Sequence, residues 1–449
     1  MGRKRRQSGP RIPKDPVEVI IESLSPDGRG VTHIDGKVTF IDGALPNERV
    51  RFIYLRRHKK QDEGRVVEVL EASPDRVETP CQHADICGGC TLQHLRSDKQ
   101  IEFKQNILKD HLWHLAKTEP KEWLPPILGP TVAYRRKARL GVKYVIKKQK
   151  LLVGFREKRS AFLAEITECK VLHESVGLRI EALKELITGL DAFDRMPQIE
   201  VAVSDNATLL VFRFLDEATE SDIAALQVFA QEQKFWVAIQ PKGPDSIFSV
   251  WPEDQSLVYT PVDNIDTAEN IFIHFKANDF TQVNATINQQ MIKQVIELLD
   301  LKNDDDLLEL FCGLGNFTLP MAKHCQSVKA IEADEGMVKR ARENAITNKI
   351  NNVDYAVADL YSGLEDFKFL KATYSKLFLD PPRSGAFDVV SKLPKLSKNR
   401  IVYVSCHPAT LARDAAVLIE QGYVLEKAGV MDMFPHTAHV ESVALFSKP

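Results

Sequence analysis

Along the carboxyl-terminal third, apolar runs of strand length alternate with helix-length stretches. Leu307-Leu308-Glu309-Leu310-Phe311 reads as a buried parallel strand and runs into the turn Cys312-Gly313-Leu314-Gly315-Asn316-Phe317, with a short helical stretch through Ala322. A second run, Val328 to Ile331, delivers Glu332 at a strand end. Two later runs end in Asp380-Pro381-Pro382-Arg383 and in Ser405-Cys406-His407-Pro408, and Glu441 stands just before the apolar Val443-Ala444-Leu445-Phe446. A helix from Asn284 to Leu299 opens this region. Strands alternating with helices predict a doubly wound α/β domain over residues 276–449.

The amino-terminal segment has a different rhythm. Short β-type runs at Val17–Ile21, Lys37–Ile41, Val50–Leu55 and Arg65–Leu70, separated by Gly, Asp, Pro and Asn turns, predict a small β-barrel over 12–72. Ser73 to Pro80 reads as a linker. A group of cysteines follows, then a helical stretch near Lys99–Leu115 whose Ile101, Ile107, Leu108, Leu112 and Leu115 fall near one face. A strand-rich region extends to about Phe275, so the central domain covers 73–275. The chain shows no internal repeat and no extended low-complexity segment.

Length and charge refine this picture. A chain of 449 residues is too long for one core and predicts about three domains of ordinary size. A net charge of −2 would argue against a nucleic-acid partner if charge were spread evenly, but it is not. Residues 1–60 hold 14 Lys/Arg against 7 Asp/Glu, and residues 131–160 hold 11 against 1. Such blocks are the footprint expected for a phosphate backbone. Arg3-Lys4-Arg5-Arg6 alone reads as a disordered tail. Tyr134-Arg135-Arg136-Lys137-Ala138-Arg139-Leu140 is more specific: its alternation puts Arg135, Lys137 and Arg139 on one strand face, with Tyr134 available to stack on a base.

The chemistry sits in the turns. Glycines let the backbone approach a ligand closely, and Glu332 lies about 20 residues past the first glycine, where an acidic group meets ribose hydroxyls in nucleotide-binding α/β folds. Asn316-Phe317 replaces the third glycine of the dinucleotide fingerprint, which argues for an adenosyl cofactor over a pyrophosphate ligand. Asp380-Pro381-Pro382-Arg383 removes two backbone donors and stiffens the chain just where such sheets bind ligands. Cys406, at the end of a buried strand, is a candidate covalent catalyst; Cys312 and Cys325 read as ordinary core thiols.

The remaining four cysteines give a second signal. Cys81, Cys87 and Cys90 form a three-thiolate knuckle, with Gly88 and Gly89 letting the backbone wrap, and Cys169 supplies a fourth ligand. Four thiolates suit zinc or an iron–sulfur cluster, and the spacing does not separate them. With no signal peptide and no apolar run long enough to span a bilayer, a disulfide framework is disfavoured and the expected compartment is the cytoplasm.

The chain resembles the S-adenosylmethionine-dependent RNA uracil-C5 methyltransferases in five ordered segments: Phe280-Thr281-Gln282-Val283-Asn284, Glu309 to Phe317, Asp380 to Arg383, Ser405 to Pro408, and His439-Val440-Glu441. As a whole it is similar to the bacterial branch that modifies 23S ribosomal RNA. The family usually has Asn where His407 stands. The resemblance implies Cys406 as nucleophile and Glu441 as base. It implies S-adenosylmethionine contacts at Gln282, Phe311, Asn316, Glu332, Asp359 and Asp380, and a [4Fe-4S] cluster on Cys81, Cys87, Cys90 and Cys169. It further implies a class I (Rossmann-like) catalytic domain and that the helix at about 97–117 packs on that domain. Asp27-Gly28-Arg29-Gly30-Val31 and Gly43 to Glu48 look like a TRAM domain, an oligonucleotide-binding-type barrel. Two alternatives remain: a transfer-RNA uracil-C5 methyltransferase, and a non-catalytic, metal-containing RNA-binding protein of ribosome assembly. The retention of Gly313, Gly315, Asp380, Cys406 and Glu441 together argues against the second.

Overall fold

A computed structural model describes residues 12–13, 15–262, 270–364 and 367–448; the Arg3–Arg6 run lies outside the described residues. Six strand segments, Val17–Ile20, Ser23–Leu24, Gly30–Ile34, Lys37–Asp42, Arg49–Arg57 and Gln61–Glu71, form the amino-terminal sheet. Val17–Ile20 pairs with Arg49–Arg57, while Ser23–Leu24 pairs with Gly30–Ile34 at the other edge. One continuous stretch, residues 17–24, thus supplies both edges of the sheet. Ile21, Ile41, Val50 and Phe52 fill its interior. Gly64 is required there, because a Cβ would sit 2.4 Å from the Phe52 ring. The cations of this segment are met by carboxylates beyond residue 60: Lys37 pairs with Asp62, Arg51 with Glu68, and Arg49 with Glu71. The charge excess counted over 1–60 is therefore partly an effect of where the window ends.

The central sheet runs in the order Phe248–Trp251, Trp236–Gln240, Thr208–Arg213, Gln198–Val203, Lys137–Val145, Lys150–Gly154, with helices Ile180–Thr188 and Glu220–Gln233 sharing its core. Its strand begins at Lys137, not at Tyr134. This corrects the expectation for the basic stretch. Tyr134 is buried and its hydroxyl donates to Pro435 O at 3.0 Å, so it does not offer a stacking face. Arg135 lies before the strand and bridges to Leu172 and Asn284. Lys137 and Arg139 do share a face, but the Lys137 ammonium donates to Ala277 O, and burial holds it down to about 8. Arg139 alone reaches out, paired with Glu200 at 2.9 Å.

Helix α1, Ser97–His111, continues as a π-helical turn over Leu112–Ala116. Ile101, Ile107, Leu108 and Leu112 are buried as the periodicity requires, whereas Leu115 is 50% exposed because the wider turn moves it off the face. As the resemblance implies, α1 packs on the carboxyl-terminal unit. Its Lys104 forms a fully buried ion pair with Asp432 at 2.6 Å, where losing one partner would leave an uncompensated charge at a cost of about 3–5 kcal/mol. Glu122–Trp123 then adds an edge strand to the same unit.

The carboxyl-terminal sheet contains β1 (Asp306–Leu310), β2 (Ser327–Glu332), β3 (Val353–Val357), β4 (Thr373–Leu379), β5 (Lys395–Ser405), β6 (Val424–Met431) and β7 (Glu441–Ser447), with α2 (Ala285–Leu299) before it and α3 (Pro408–Glu420) between β5 and β6. The order is β3-β2-β1-β4-β5-β7-β6; β1 to β5 are parallel and β7 is antiparallel to both neighbours. Period-two alternation sends Leu307, Phe378, Val402 and Leu445 to the α2 side. It sends Leu308, Leu377, Ile401 and Phe446 to the α1 and α3 side. Both faces are covered, which is why the strands read as unbroken apolar runs. Among the described residues no helix is long and apolar enough to cross a membrane.

Candidate active site

Strand order reverses between β1 and β4, and a cavity of about 560 Å³ opens at the carboxyl ends of β1 to β5. It is lined by Cys406, Glu441, Gln282, Phe311, Asn316, Glu332, Asp359 and Asp380, so all eight residues expected at the site are brought together.

The β1 turn explains its glycines. Phe311, Gly313 and Gly315 have φ of 67°, 54° and 94°, a left-handed path that a non-glycine residue keeps only under constraint. Gly313 N donates to Glu332 Oε2 at 3.1 Å, while Ala333 N and Asp334 N donate to Oε1 at 2.8 and 3.1 Å, fixing the carboxylate at the end of β2. Gly313 lines the cavity. Gly315 instead faces inward, where a Cβ would lie 3.3 Å from Leu319 and 3.4 Å from the Tyr355 hydroxyl. Gly313 is thus the glycine of close approach, and Gly315 shapes the turn from behind.

Asn316 is held by a side-chain pair with Asn288 of α2, 2.9 Å in each direction, and by the Tyr259 hydroxyl at 3.1 Å. Asp359 is exposed at the rim, with its carboxylate accepting from Tyr361 N and from the Ser362 hydroxyl at 2.9 Å each. The first of these bonds is the main reason its pKa is lowered. Asp380 lies deeper, and desolvation pushes it up to about 7.

Sheet register sets the relative placement of Cys406 and Glu441. Ser405 of β5 pairs with Ser442 of β7, so the next residue on one strand, Cys406, stands opposite the preceding residue on the other, Glu441. Glu441 is buried and held well above the usual carboxylate range, first by desolvation and then by Asp380. Cys406 is pushed up to about 11 by burial, Glu441 and Asp380, with Arg383 opposing. Arg383 donates to His439 Nδ1 at 3.1 Å, which leaves the neutral ring's proton on Nε2. Desolvation, then Arg383, lowers His439 to about 4. His407 stands at the N-cap of α3 with its Nδ1 accepting from Thr410 N at 3.4 Å. It does the capping work that an Asn side chain also does, and that is the physical content of the departure from the family pattern.

Cys81, Cys87, Cys90 and Cys169 line a separate cavity of about 200 Å³, together with Arg135 and Phe155. Gly88 is tight against the chain, its N donating to Arg156 O at 2.8 Å and a Cβ there falling 3.1 Å from the same oxygen. Burial and the neighbouring thiols raise Cys90 to about 12; burial, then its neighbours, raise Cys169 to about 11. Among the described residues no group of three or more His, Cys, Asp or Glu stands close enough to share a single metal ion. Cys312 and Cys325 are buried, as expected of core thiols.

Sequence reasoning missed Tyr259, Asn288, Tyr361 and Phe434. Asn288 had one readable signal, its place one turn after Asn284 on the helix that faces the glycine turn; Tyr259 comes from a short strand far away in the chain and carried none.

Residues 100–449 match the family model described as tRNA (Uracil-5-)-methyltransferase. Over 450 residues the chain is 46% identical to the 23S rRNA (uracil(1939)-C(5))-methyltransferase RlmD of Alcanivorax borkumensis, covering 100% of this chain and 99% of that protein. It is 47% identical to the protein of the same name from Hahella chejuensis, with both chains covered completely. The crystal structure of Pyrococcus abyssi tRNA (uracil-54, C5)-methyltransferase in complex with S-adenosyl-L-homocysteine shares the fold, with a TM-score of 0.69 over 96% of this chain and 100% of that one at 24% identity. A family model spanning more than three quarters of the sequence, and full-length relatives at nearly half identity, make the chain a member of the RNA uracil-C5 methyltransferase family.

Proposed function

We propose that this chain transfers a methyl group from S-adenosylmethionine to C5 of a uridine in 23S ribosomal RNA, in the cytoplasm. The observation that carries the reading is that Cys406 and Glu441, each next to the paired Ser405 and Ser442, line one cavity together with Gln282, Phe311, Asn316, Glu332, Asp359 and Asp380. The substrate follows from the names borne by the full-length relatives.

Uracil C5 is a poor nucleophile. When the Cys406 thiolate bonds to C6, the C5–C6 π electrons move toward C5 and O4, and C5 becomes an enolate carbon able to attack an electrophilic methyl group. The cofactor, when bound, supplies that methyl as a sulfonium. Glu441 then takes the C5 proton, the C5–C6 double bond re-forms, and the Cys406 sulfur leaves. Glu332 suits a ribose diol; the other five residues line the space for the rest of the cofactor, Asn316 from a side chain already locked by Asn288 and Tyr259.

Residues 12–72 serve as a TRAM barrel that holds RNA. In support, the first stretch joins both sheet edges and Lys37–Asp42 runs parallel to Gln61–Glu71, a pairing order suited to oligonucleotide-binding barrels. Residues 73–275 form the central RNA-binding domain, less the 97–123 segment, and 276–449 the methyltransferase domain. The four thiols of the central cavity hold a [4Fe-4S] cluster. All four thiols line one cavity of about 200 Å³, which leaves room for a multi-atom group. Methyl transfer itself needs no electrons from it.

Mapping 5-methyluridine in ribosomal and transfer RNA from cells with and without this protein tests the substrate. One 23S uridine should lose its methyl group; unchanged 23S RNA with a missing transfer-RNA methyl group would overturn it. The charge arrangement predicts a pH profile as well. Cys406 reacts as thiolate and Glu441 as carboxylate, and both are held above their ordinary values. Deprotonation of either favours activity, so kcat/KM for RNA should rise from about pH 6 to 9, and a flat or falling profile would remove the thiolate step.

A further inference from the structure

Residues 432–440, between β6 and β7, carry Phe434 and His439 to the cavity and lead directly into Glu441. Their backbone is gripped from outside the carboxyl-terminal sheet. Phe434 O accepts from Lys104 Nζ at 3.0 Å, and Pro435 O from the Tyr134 hydroxyl at 3.0 Å. His436 is held on both sides: its N donates to Gln100 Oε1 at 2.8 Å, and its O accepts from Thr91 N and Leu92 N at 2.9 Å each. Ala438 N donates to the Thr91 hydroxyl at 3.2 Å. Gln100, buried in α1, closes the arrangement by donating to Leu92 O at 3.1 Å and Leu95 O at 2.7 Å.

Two observations give this grip a purpose beyond packing. His436 has φ +66°, and a non-glycine residue stays there only when its surroundings over-determine it. Two of the holding residues also belong to the surroundings of the cysteines: Thr91 directly follows Cys90, and Tyr134 packs against Cys90 and Val171. The route from the thiol cavity to the strand bearing the base is therefore a short chain of hydrogen bonds, that of the Tyr134 hydroxyl buried and that of the Thr91 hydroxyl partly so.

We propose that Thr91 and Gln100 are positioning residues for the methyl transfer: they hold residues 434–438 in the conformation that sets Glu441 against Cys406, so that the cysteine knuckle and the base-bearing strand act as one body. The inference rests on the roles proposed above for Cys406 and Glu441. Its consequence is that disturbing the knuckle slows the step that needs Glu441, although Phe311, Asn316, Glu332, Asp359 and Asp380, on the turns after β1 to β4, keep their places.

The test compares Thr91→Val, which keeps the side-chain shape and deletes the hydroxyl, with Thr91→Ser, which restores it, in the full chain purified anaerobically. Thr91→Val should lower kcat about tenfold while KM for RNA and S-adenosylmethionine affinity stay within about twofold. Target RNA without fluorine should accumulate as a methylated covalent complex, because proton removal is slowed after methylation. Amide exchange over 434–438 should quicken in Thr91→Val and, as a readout independent of turnover, in Cys87→Ser; Thr91→Ser should return both signals to the parent values. Gln100→Leu is a second probe and should give the same pattern. Parent-like kcat and exchange in a folded Thr91→Val or Gln100→Leu protein would overturn the proposal, as would a loss of cofactor affinity in step with kcat. Parent-like turnover in Cys406→Ala would instead overturn the reading beneath it.

Discussion

Replacing Cys406 with Ala should abolish both turnover and the denaturant-stable complex that the parent protein forms with RNA carrying 5-fluorouridine at the target. Fluorine at C5 is not removed as a proton, so a nucleobase that has accepted the thiol and the methyl group stays bonded to the protein. Without the Sγ atom no bond forms, and loss of a covalent nucleophile should lower the rate by about four orders of magnitude or more. Glu441→Gln gives the complementary result. It preserves the shape of a buried residue and removes only its ability to take a proton, so methylation proceeds once and ordinary RNA remains attached. The pair is diagnostic because the register that pairs Ser405 with Ser442 brings Cys406, just past the end of β5, level with Glu441 at the start of β7. Full turnover in either variant would remove the mechanism. Trapping of ordinary RNA by Cys406→Ala would show that another nucleophile is at work.

The carboxyl-terminal domain was legible because its central strands are buried on both sides, β1 and β4 almost throughout. Leu307 and Leu308 point to opposite cores, as do Phe378 and Leu377, so the whole run must be apolar. The site was legible at the strand ends, where Gly313, Asp380 and Cys406 interrupt such runs with residues that packing does not ask for. What the sequence hid was pairing across long separations. That Cys406 meets Glu441 depends on β7 inserting antiparallel between β5 and β6, which no local pattern declares. Tyr134 beside four cations reads equally well as a base-stacking surface and as core, and what decides is a carbonyl 301 residues away. The charge block at the amino terminus misled for a related reason: its counter-ions on Asp62, Glu68 and Glu71 are neighbours across the sheet but lie beyond the counted stretch. Leu115 slipped from the predicted face because the helix ends in a wider turn, which periodicity at 3.6 residues does not anticipate.

The protein purified anaerobically should be brown and carry about four irons per chain, and Cys87→Ser should strip most of that iron. Four thiols sharing one cavity are the basis for that expectation. Burial already disfavours the thiolate at Cys87, Cys90 and Cys169, so gathering these groups without cations to neutralise them would be costly; a cluster both offsets the charge and ties Cys81, Cys87, Cys90 and Cys169 together. Losing it should loosen the 81–95 loop and the adjoining central domain, lowering RNA affinity. S-adenosylmethionine binding should persist, since Gly313, Glu332 and Asp380 belong to strand-end turns of a sheet whose two cores are complete without the loop. From the sequence order alone, the methyl pocket as a whole would be spared. The hydrogen bonds from Thr91 N and Leu92 N to His436 O, and from Ala438 N to the Thr91 hydroxyl, change that expectation: cofactor affinity survives, but the Glu441 end of the pocket loosens, so turnover on saturating RNA falls as well. Calorimetry with S-adenosylmethionine, filter binding with RNA and single-turnover kinetics separate the three effects. A colourless parent protein with one stoichiometric zinc and no iron, even under anaerobic purification, would overturn the cluster assignment. Iron loss with RNA affinity and turnover both intact would overturn its organising role.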